Sequence, residues 1–357
     1  MTAVPRLDRR VLNRTLLARQ HLLTRGTRPA IELIGDLVGM QAQAPLAPYV
    51  GLWTRLAGFR PGELADLLSE RQVVRASLLR TTVHLVTAGD ALEIRPLIDR
   101  QAATGFGGHF RRWLDGVDVG AVVDAGRALL ADRPRTRVQL RDELAARWPQ
   151  WDGDTMAYAV SYHAHTVQVT PRGLWGRTGP AAMTTLESWL GRPVAAQPSV
   201  DALVVRYLAA FGPASAQDAQ TWSGLTGLRE VVDRLPDLRR YTDPDGRVLY
   251  DLPGGELVDA DRPAPVRFLP EYDNVLLSHA DRSRIIPPDR RVPLPPGNGA
   301  RAGTVLVDGR YAADWRVERV ARHELRLRVD PLAPLSPSAR DEVDAEGERL
   351  LAFLRQP

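Results

Sequence analysis

Residues 119–177 read VGAVVDAGRALLADRPRTRVQLRDELAARWPQWDGDTMAYAVSYHAHTVQVTPRGLWGR, and this stretch decides the fold. Val119 to Ala131 is apolar at helical spacing, Thr136 to Trp148 repeats the pattern, and Gly153 to Thr166 predicts a third helix. Thr136 and Asp154 are the candidate N-caps of the second and third helices. Two extended runs follow, Thr166 to Thr170 and Leu174 to Arg177, with Pro171-Arg172-Gly173 as the turn between them. Three helices and then a hairpin is the element order of a winged helix.

Working outward, the same order recurs. From Ser199 the helices are Val200 to Phe211, Ser215 to Trp222 and Gly227 to Leu235. The hairpin there is Leu238 to Tyr241 with Arg247 to Leu252, turning on Asp243-Pro244-Asp245-Gly246. A more diverged copy opens the chain, with helices over Asp8 to Leu23, Pro29 to Gln41 and Pro61 to Glu70 and a hairpin over Val73 to Thr87. After Asp261 the pattern alternates. Thr304 to Val307 and Tyr311 to Trp315 flank Asp308-Gly309, Glu324 to Val329 continues the alternation, and Ser338 to Leu354 is a closing helix. The proline- and glycine-rich run from Ile285 to Gly303 reads as a connection. The expected class is therefore α+β: tandem winged-helix (helix-turn-helix) repeats over 1–115, 116–195 and 196–262, then a small β-barrel or curled sheet with its capping helix over 263–357.

Composition removes whole classes of chemistry. The 357 residues contain no Cys, which excludes disulfides, thiolate-bound zinc and thiol nucleophiles. All 47 basic residues are Arg, the ordinary signature of a GC-rich genome. With no Lys there is no side-chain Schiff base, no lysine phosphate loop and no lysine general base. Met1 to Arg10 is charged and has no signal-peptide core, and the Ala202 to Phe211 run is interrupted by Arg206, so the expectation is a cytoplasmic protein with no membrane span. A net charge of +4 and a pI near 9.7 fit a polyanionic partner.

A winged helix puts its third helix in the major groove and its wing over the backbone or minor groove. Basic side chains fall where that geometry needs them. They are Arg172 and Arg177 in the middle wing, Arg239, Arg240 and Arg247 in the third, and His163 and His165 late in the middle recognition helix. Taken singly, each also reads as a solvated arginine or a packed histidine, and winged helices serve as protein–protein modules too. No metal site is expected: there is no His-Glu-x-x-His motif, and His163 and His165 point to different sides of a helix. A Gly-rich phosphate loop and a Gly-x-Ser-x-Gly elbow are also missing. Asp142-Glu143 and Asp341-Glu342 read as helix-surface acids. Glu271 and Asp273 lie among apolar residues in Phe268 to Asn274, where a capping or barrel-closing role competes with a chemical one.

That leaves Gly39-Met40-Gln41-Ala42-Gln43-Ala44-Pro45. Ile31, Ile34, Leu37 and Val38 form the buried stripe of the preceding helix, and Gln41 continues it. An amide there must find partners or line a cavity. A helix turns about 100° per residue, so Gln41 and Gln43 would diverge if both were helical. Pro45 disfavours helix at Ala44 and draws the exit into extended chain, where the two side chains can converge. On these grounds alone the pair reads first as glutamines capping a helix terminus.

In this order and context the chain resembles the AlkZ-type winged-helix DNA glycosylases, whose active site carries a Gln-(aliphatic)-Gln motif after the second helix. Here that motif is Gln41-Ala42-Gln43. Leu79 to Leu85, Phe211 to Ser215, Leu269 to Asp273 and Ser278 to Ser283 also resemble the family. The resemblance runs from about Leu7 to the late strands. Ala42 is the smallest residue for the central slot, and Gln43 argues against a related Gln-x-Asp branch.

The resemblance implies Gln41 and Gln43 as catalytic residues and double-stranded DNA with alkylated or crosslinked purines as the partner. It implies a C-shaped cradle of three winged helices completed by the barrel; such a clamp of tandem units needs no partner subunit, so a monomer is expected, with no cofactor. The reaction implied is excision of N3- or N7-alkylated purines, with unhooking of interstrand crosslinks, in DNA repair or in self-resistance to a DNA-alkylating natural product. An amide cannot act as a general base near neutral pH, but two can orient a water beside a developing sugar cation. The absence of Lys fits a monofunctional, water-using enzyme. Asp308-Gly309-Arg310 is the candidate minor-groove probe, and Arg80 and His84 are candidates for backbone contact or for supporting the glutamines. The rivals are a non-catalytic winged-helix DNA-binding protein and a protein-interaction scaffold.

Overall fold

Asp8 accepts a hydrogen bond from the backbone N–H of Val11 and starts the Arg9–Arg19 helix, whose Leu12, Leu16 and Leu17 are buried. Gln20, just past its end, donates to the Ala210 carbonyl at 2.8 Å, at the end of the Val200–Phe211 helix. Arg19 makes a bidentate pair with the buried Asp251 (2.7 and 2.8 Å) on the Val248–Asp251 strand. These bonds join chain segments some 200 residues apart.

The computed structural model describes residues 4–291, 302–321 and 324–357. The chain is a mixed α+β fold divided into two compact units. One comprises residues 1–63, 201–222 and 226–357, the other residues 64–200 and 223–225.

In the first unit the N-terminal helices lie with those of the 200s. Val200–Phe211, Ala216–Ser223 and Leu228–Arg234 appear where the sequence places them, and Arg239–Thr242 pairs antiparallel with Val248–Asp251. The C-terminal strands form an open antiparallel sheet in the order Glu324–Pro331, Arg310–Ala321, Gly303–Val307, Arg267–Leu269. Ser336 caps the Pro337–Leu354 helix, which packs on this sheet through Gly347 against Leu327 and Phe268. Among the described residues the pairing does not close into a ring, so an open sheet covered by a helix stands where the barrel was expected. Of the expected 285–303 connection, residues 292–301 lie outside the described residues.

The second unit contains the stretch that opened the reading. Its helices are Val119–Asp132, Arg137–Arg147 and Gly153–His163, with Leu130, Leu140, Leu144, Met156 and Val160 at the centre of their core. Thr136 and Gln139 make the reciprocal capping box of the second helix. Two details differ from the sequence reading. The third helix is capped by Asp152, not Asp154. The partner of the Thr166–Gln168 strand is Ala182–Thr185, not Leu174 to Arg177. Pro171, Gly173 (φ 93°) and Gly176 (φ 65°) keep that intervening run in successive turns. Within this unit the strands lie in the order Val83–Thr87, Val73–Ser77, Thr166–Gln168, Ala182–Thr185, Arg135–Thr136. Helices Ala88–Ile94 and Asp99–Phe110, which the sequence reading did not assign, follow the first hairpin. Among the described residues no helix is long and apolar enough to cross a membrane.

Candidate active site

The second helix is shorter than its apolar stripe. It runs over Ala30–Asp36 and stops because Val38 (φ 55°) and Gly39 (φ 90°) take left-handed backbone. Met40–Gln41 is then extended, with Gln41 and Ala42 buried and Gln43 half-buried. Leaving the helix removes the 100° rotation that would separate the glutamines. Gln41 Nε2 donates to Gln43 Oε1 at 3.0 Å, so the two amides meet. The convergence expected from Pro45 is real, but its cause lies at Val38-Gly39.

A network at the back holds this corner. Asn274 Nδ2 donates to the Gly39 carbonyl at 2.8 Å. Asp273 caps the short Asn274–Leu277 helix and pairs with Arg55 through two bonds of 2.7 and 2.8 Å, both side chains being buried. Arg55 also donates to the carbonyls of Gln20 and Gly51, each at 3.0 Å. Gly51 belongs to the Ala47–Trp53 helix, which is buried at every position. A Cβ on Gly51 would lie 2.4 Å from Met40 Cε, so this helix packs closely against the strand that carries Gln41 and a larger residue would make the Met40 side chain shift. Asp273 is thus a capping and ion-pairing residue. Arg55 and Asn274 were not identified from sequence; only the polar run in an apolar segment at 271–274 marked the place.

The candidate DNA contacts separate by burial. Arg177, Arg239 and Arg240 are exposed, the last two side by side on the Arg239–Thr242 strand. Arg172 is half-buried and donates to the Gly179 carbonyl at 3.2 Å. Arg80 is half-buried in a tight turn at φ 53°. Arg247 is exposed but committed, donating to Asp243 at 2.7 Å and to Asp281. The carboxylates of Asp243, Asp245 and Asp281 cluster together, and this guanidinium donates to each of them.

The histidines are more enclosed than the exposed arginines. His163 is half-buried and edge-on to Phe106, with ring centroids 5.3 Å apart. His165 is buried, with Nε2 2.9 Å from Asp99 and Nδ1 3.7 Å from Glu187. Burial pulls its pKa down, but the hydrogen bond to Asp99 and the nearby Glu187 carboxylate outweigh that and raise it. His84 is buried and donates from Nδ1 to the Thr82 carbonyl at 2.9 Å. Burial, reinforced by Arg80, lowers its pKa to about 3, so it is a neutral packing residue. A neutral buried imidazole has a stability signature. Between about pH 6.5 and 3 the unfolded chain takes up a proton that the native His84 refuses, so stability falls with pH by about 1.4 kcal/mol per unit. Chemical denaturation across that range should show a shallower decline for His84→Gln than for the wild type; equal slopes would contradict the burial assignment.

Asp308-Gly309-Arg310 is likewise no free probe. Asp308 is the shared acceptor of Arg10 (2.8 Å) and of the buried Arg14. The Gly309 carbonyl accepts from Asn13 at 2.7 Å, and Arg310 is half-buried. Gly309 is in left-handed backbone (φ 74°), and a Cβ there would lie 2.6 Å from Leu17 and 2.7 Å from Arg14 and Asn13. Gly309→Ala should therefore destabilise the fold by more than about 1 kcal/mol in urea unfolding. Unchanged stability would mean that the turn swings clear of the first helix.

The AlkZ-like family model, described as DNA glycosylase AlkZ-like, matches residues 34–353. The chain belongs to the AlkZ-like DNA glycosylase family. The match spans the paired amides, the network behind them and the four-stranded sheet. The fold is similar to that of Streptomyces sahachiroi DNA glycosylase AlkZ, with a TM-score of 0.71 over 98% of this chain and 97% of that one, at 19% identity. No curated protein matches the chain. For an AlkZ-like glycosylase the substrate is DNA, and the paired amides are the candidate centre of its chemistry.

Proposed function

We propose that the protein is a monofunctional DNA glycosylase that hydrolyses the N-glycosidic bond of N7- and N3-alkylated purines, including those that tie the two strands together. The observation that carries this reading is the Gln41–Gln43 amide pair, fixed at a buried helix exit in a member of a DNA glycosylase family. An amide carbonyl accepts two hydrogen bonds, so such a pair can place a water and set partial negative charge beside the sugar. That modest help suffices because an alkylated N7 or N3 purine is already cationic and its glycosidic bond is weak. Without Lys the sugar is released to water and not to a side-chain amine.

In this reading the repeated helix–helix–helix–hairpin order forms three winged-helix units over 1–115, 116–195 and 196–262, with the sheet region over 263–357. They make a C-shaped cradle around duplex DNA. Arg177, Arg239 and Arg240 carry the exposed charge for the backbone, and the half-buried Arg80 and Arg172 add to it from the hairpins of their own unit. One chain suffices, working in the cytoplasm, either in repair or in self-resistance to an alkylating natural product.

The test is a duplex with a single N7-methylguanine, incubated with the protein and then heated in mild alkali. A strand break that appears only after heating reports an abasic site and supports hydrolysis. A break before heating would instead indicate a lyase. An intact strand with salt-dependent binding would indicate a non-catalytic DNA-binding protein.

A further inference from the structure

We infer that Glu271 is a further catalytic residue, the carboxylate that takes the proton from the water held by Gln41 and Gln43. This rests on the glycosylase reading above. The placement is geometric. Pro270 ends the connection from the Arg267–Leu269 strand, and its Cγ lies 3.5 Å from the Cβ position of Gly51, where Met40 Cε also lies at 2.4 Å. Three residues beyond Glu271, Asn274 grips the Gly39 carbonyl at 2.8 Å. Residues 270–274 therefore run beside residues 39–41, pinned on both sides of Glu271.

The two acids of this segment have different fates. Asp273 is consumed in the buried pair with Arg55. Tyr272 separates them in left-handed backbone (φ 60°), a conformation costly for a bulky side chain. Glu271 is half-buried, and among the described residues no other residue hydrogen-bonds to its carboxyl. Other buried acids of this unit are matched: Asp251 to Arg19, Glu346 to Arg25 and Arg349, Asp218 to Ser215 and Ala280. A half-buried carboxyl with no partner beyond its own backbone is a cost that packing does not explain. Burial raises its pKa against the opposing hydrogen bond from its own backbone N–H, and the charges of Arg55 and Asp273, two residues along, are spent on each other.

The amides cannot accept a proton, and hydrolysis must release one. Water oxygen attacks C1′ as the C1′–N9 bond breaks, and the electrons of that bond pass into the purine. The base leaves neutral, its positive charge cancelled, and the water proton moves to the Glu271 carboxylate and then to solvent.

The experiment measures single-turnover release of 7-methylguanine from duplex DNA between pH 4 and 9, for wild type, Glu271→Gln and Glu271→Asp, with DNA affinity measured in parallel. We expect an acid limb in the wild-type rate, its loss in Glu271→Gln with a fall of about 10²-fold or more, and partial rescue by Glu271→Asp at unchanged affinity. Glu271→Gln within threefold of wild type, or a slowed Glu271→Gln that keeps the acid limb, overturns the assignment while leaving the glycosylase reading intact. Should Glu271→Gln fail to fold, the wild-type profile decides, because a rate without an acid limb excludes a carboxylate base. No release by wild type at any pH overturns both.

Discussion

Gln43→Ala should lower single-turnover excision of an N7-alkylated purine by about 10²-fold, with the thermal unfolding midpoint and DNA affinity close to wild type. The magnitude is that of removing one preorganised polar group from a site where charge develops, about 10²–10³-fold. Gln43 is half-buried, and its Oε1 is the acceptor for Gln41 Nε2 at 3.0 Å, so truncation removes a water-holding group and releases its partner. Gln41→Ala should cost at least as much in rate and more in stability, because Gln41 is only 6% exposed and its loss leaves a hole beside Met40 and Ala42. The two losses should not add, since either truncation breaks the same pair. Quenched-flow or manual single-turnover assays on the two single variants and the double variant give the comparison. A double variant slower than wild type by the product of the two single effects would mean that the amides act independently.

The second large effect is on stability. Asp273→Ala leaves Arg55 buried without its carboxylate and should cost about 3–5 kcal/mol, the usual penalty for breaking a buried ion pair from one side. It also removes the cap of the Asn274–Leu277 helix. The loss should spread to the reaction, because Asn274 follows directly and holds the Gly39 carbonyl at the turn that aims the glutamines. Replacing both partners with apolar residues of similar volume should recover much of the stability, because no charge is then stranded. Urea unfolding of Asp273→Ala, Arg55→Met and the double variant tests this. A single variant as stable as wild type would show that the pair is not what locks the 270–274 segment.

Much of the architecture was legible because its signals are local. The triplet of helices over Val119–Asp132, Arg137–Arg147 and Gly153–His163 announces itself by apolar spacing and by the Thr136 cap, and the Arg239–Thr242 hairpin by its Asp-Pro-Asp-Gly turn. The Ala47–Trp53 helix was not legible: every position is buried, so it has no polar face and no amphipathic period. The stop at Asp36 was hidden because Val38, a β-branched residue, gives no sequence sign of left-handed backbone.

The site was half legible. Two amides at the end of an apolar stripe mark themselves as requiring partners, but the Arg55–Asp273 bridge spans 218 residues and is a product of tertiary structure alone. The same limit misled the reading of Asp308-Gly309-Arg310. In sequence it is an exposed-looking turn, and in space Asn13 and Arg14 of the first helix bind it almost 300 residues away in the chain. Histidines misled for a related reason, since nothing local says that His84 and His165 are enclosed.

The central claim is that the chain breaks a glycosidic bond with Gln41 and Gln43. The most direct test is chromatography of the free base released from duplex DNA containing N7-methylguanine, with wild type and Gln43→Ala at enzyme concentrations that bind the DNA equally. The account predicts stoichiometric release of 7-methylguanine by wild type and release about 10²-fold slower by Gln43→Ala. Equal release by both would contradict the assignment of the glutamines, and no release by wild type would contradict the glycosylase itself.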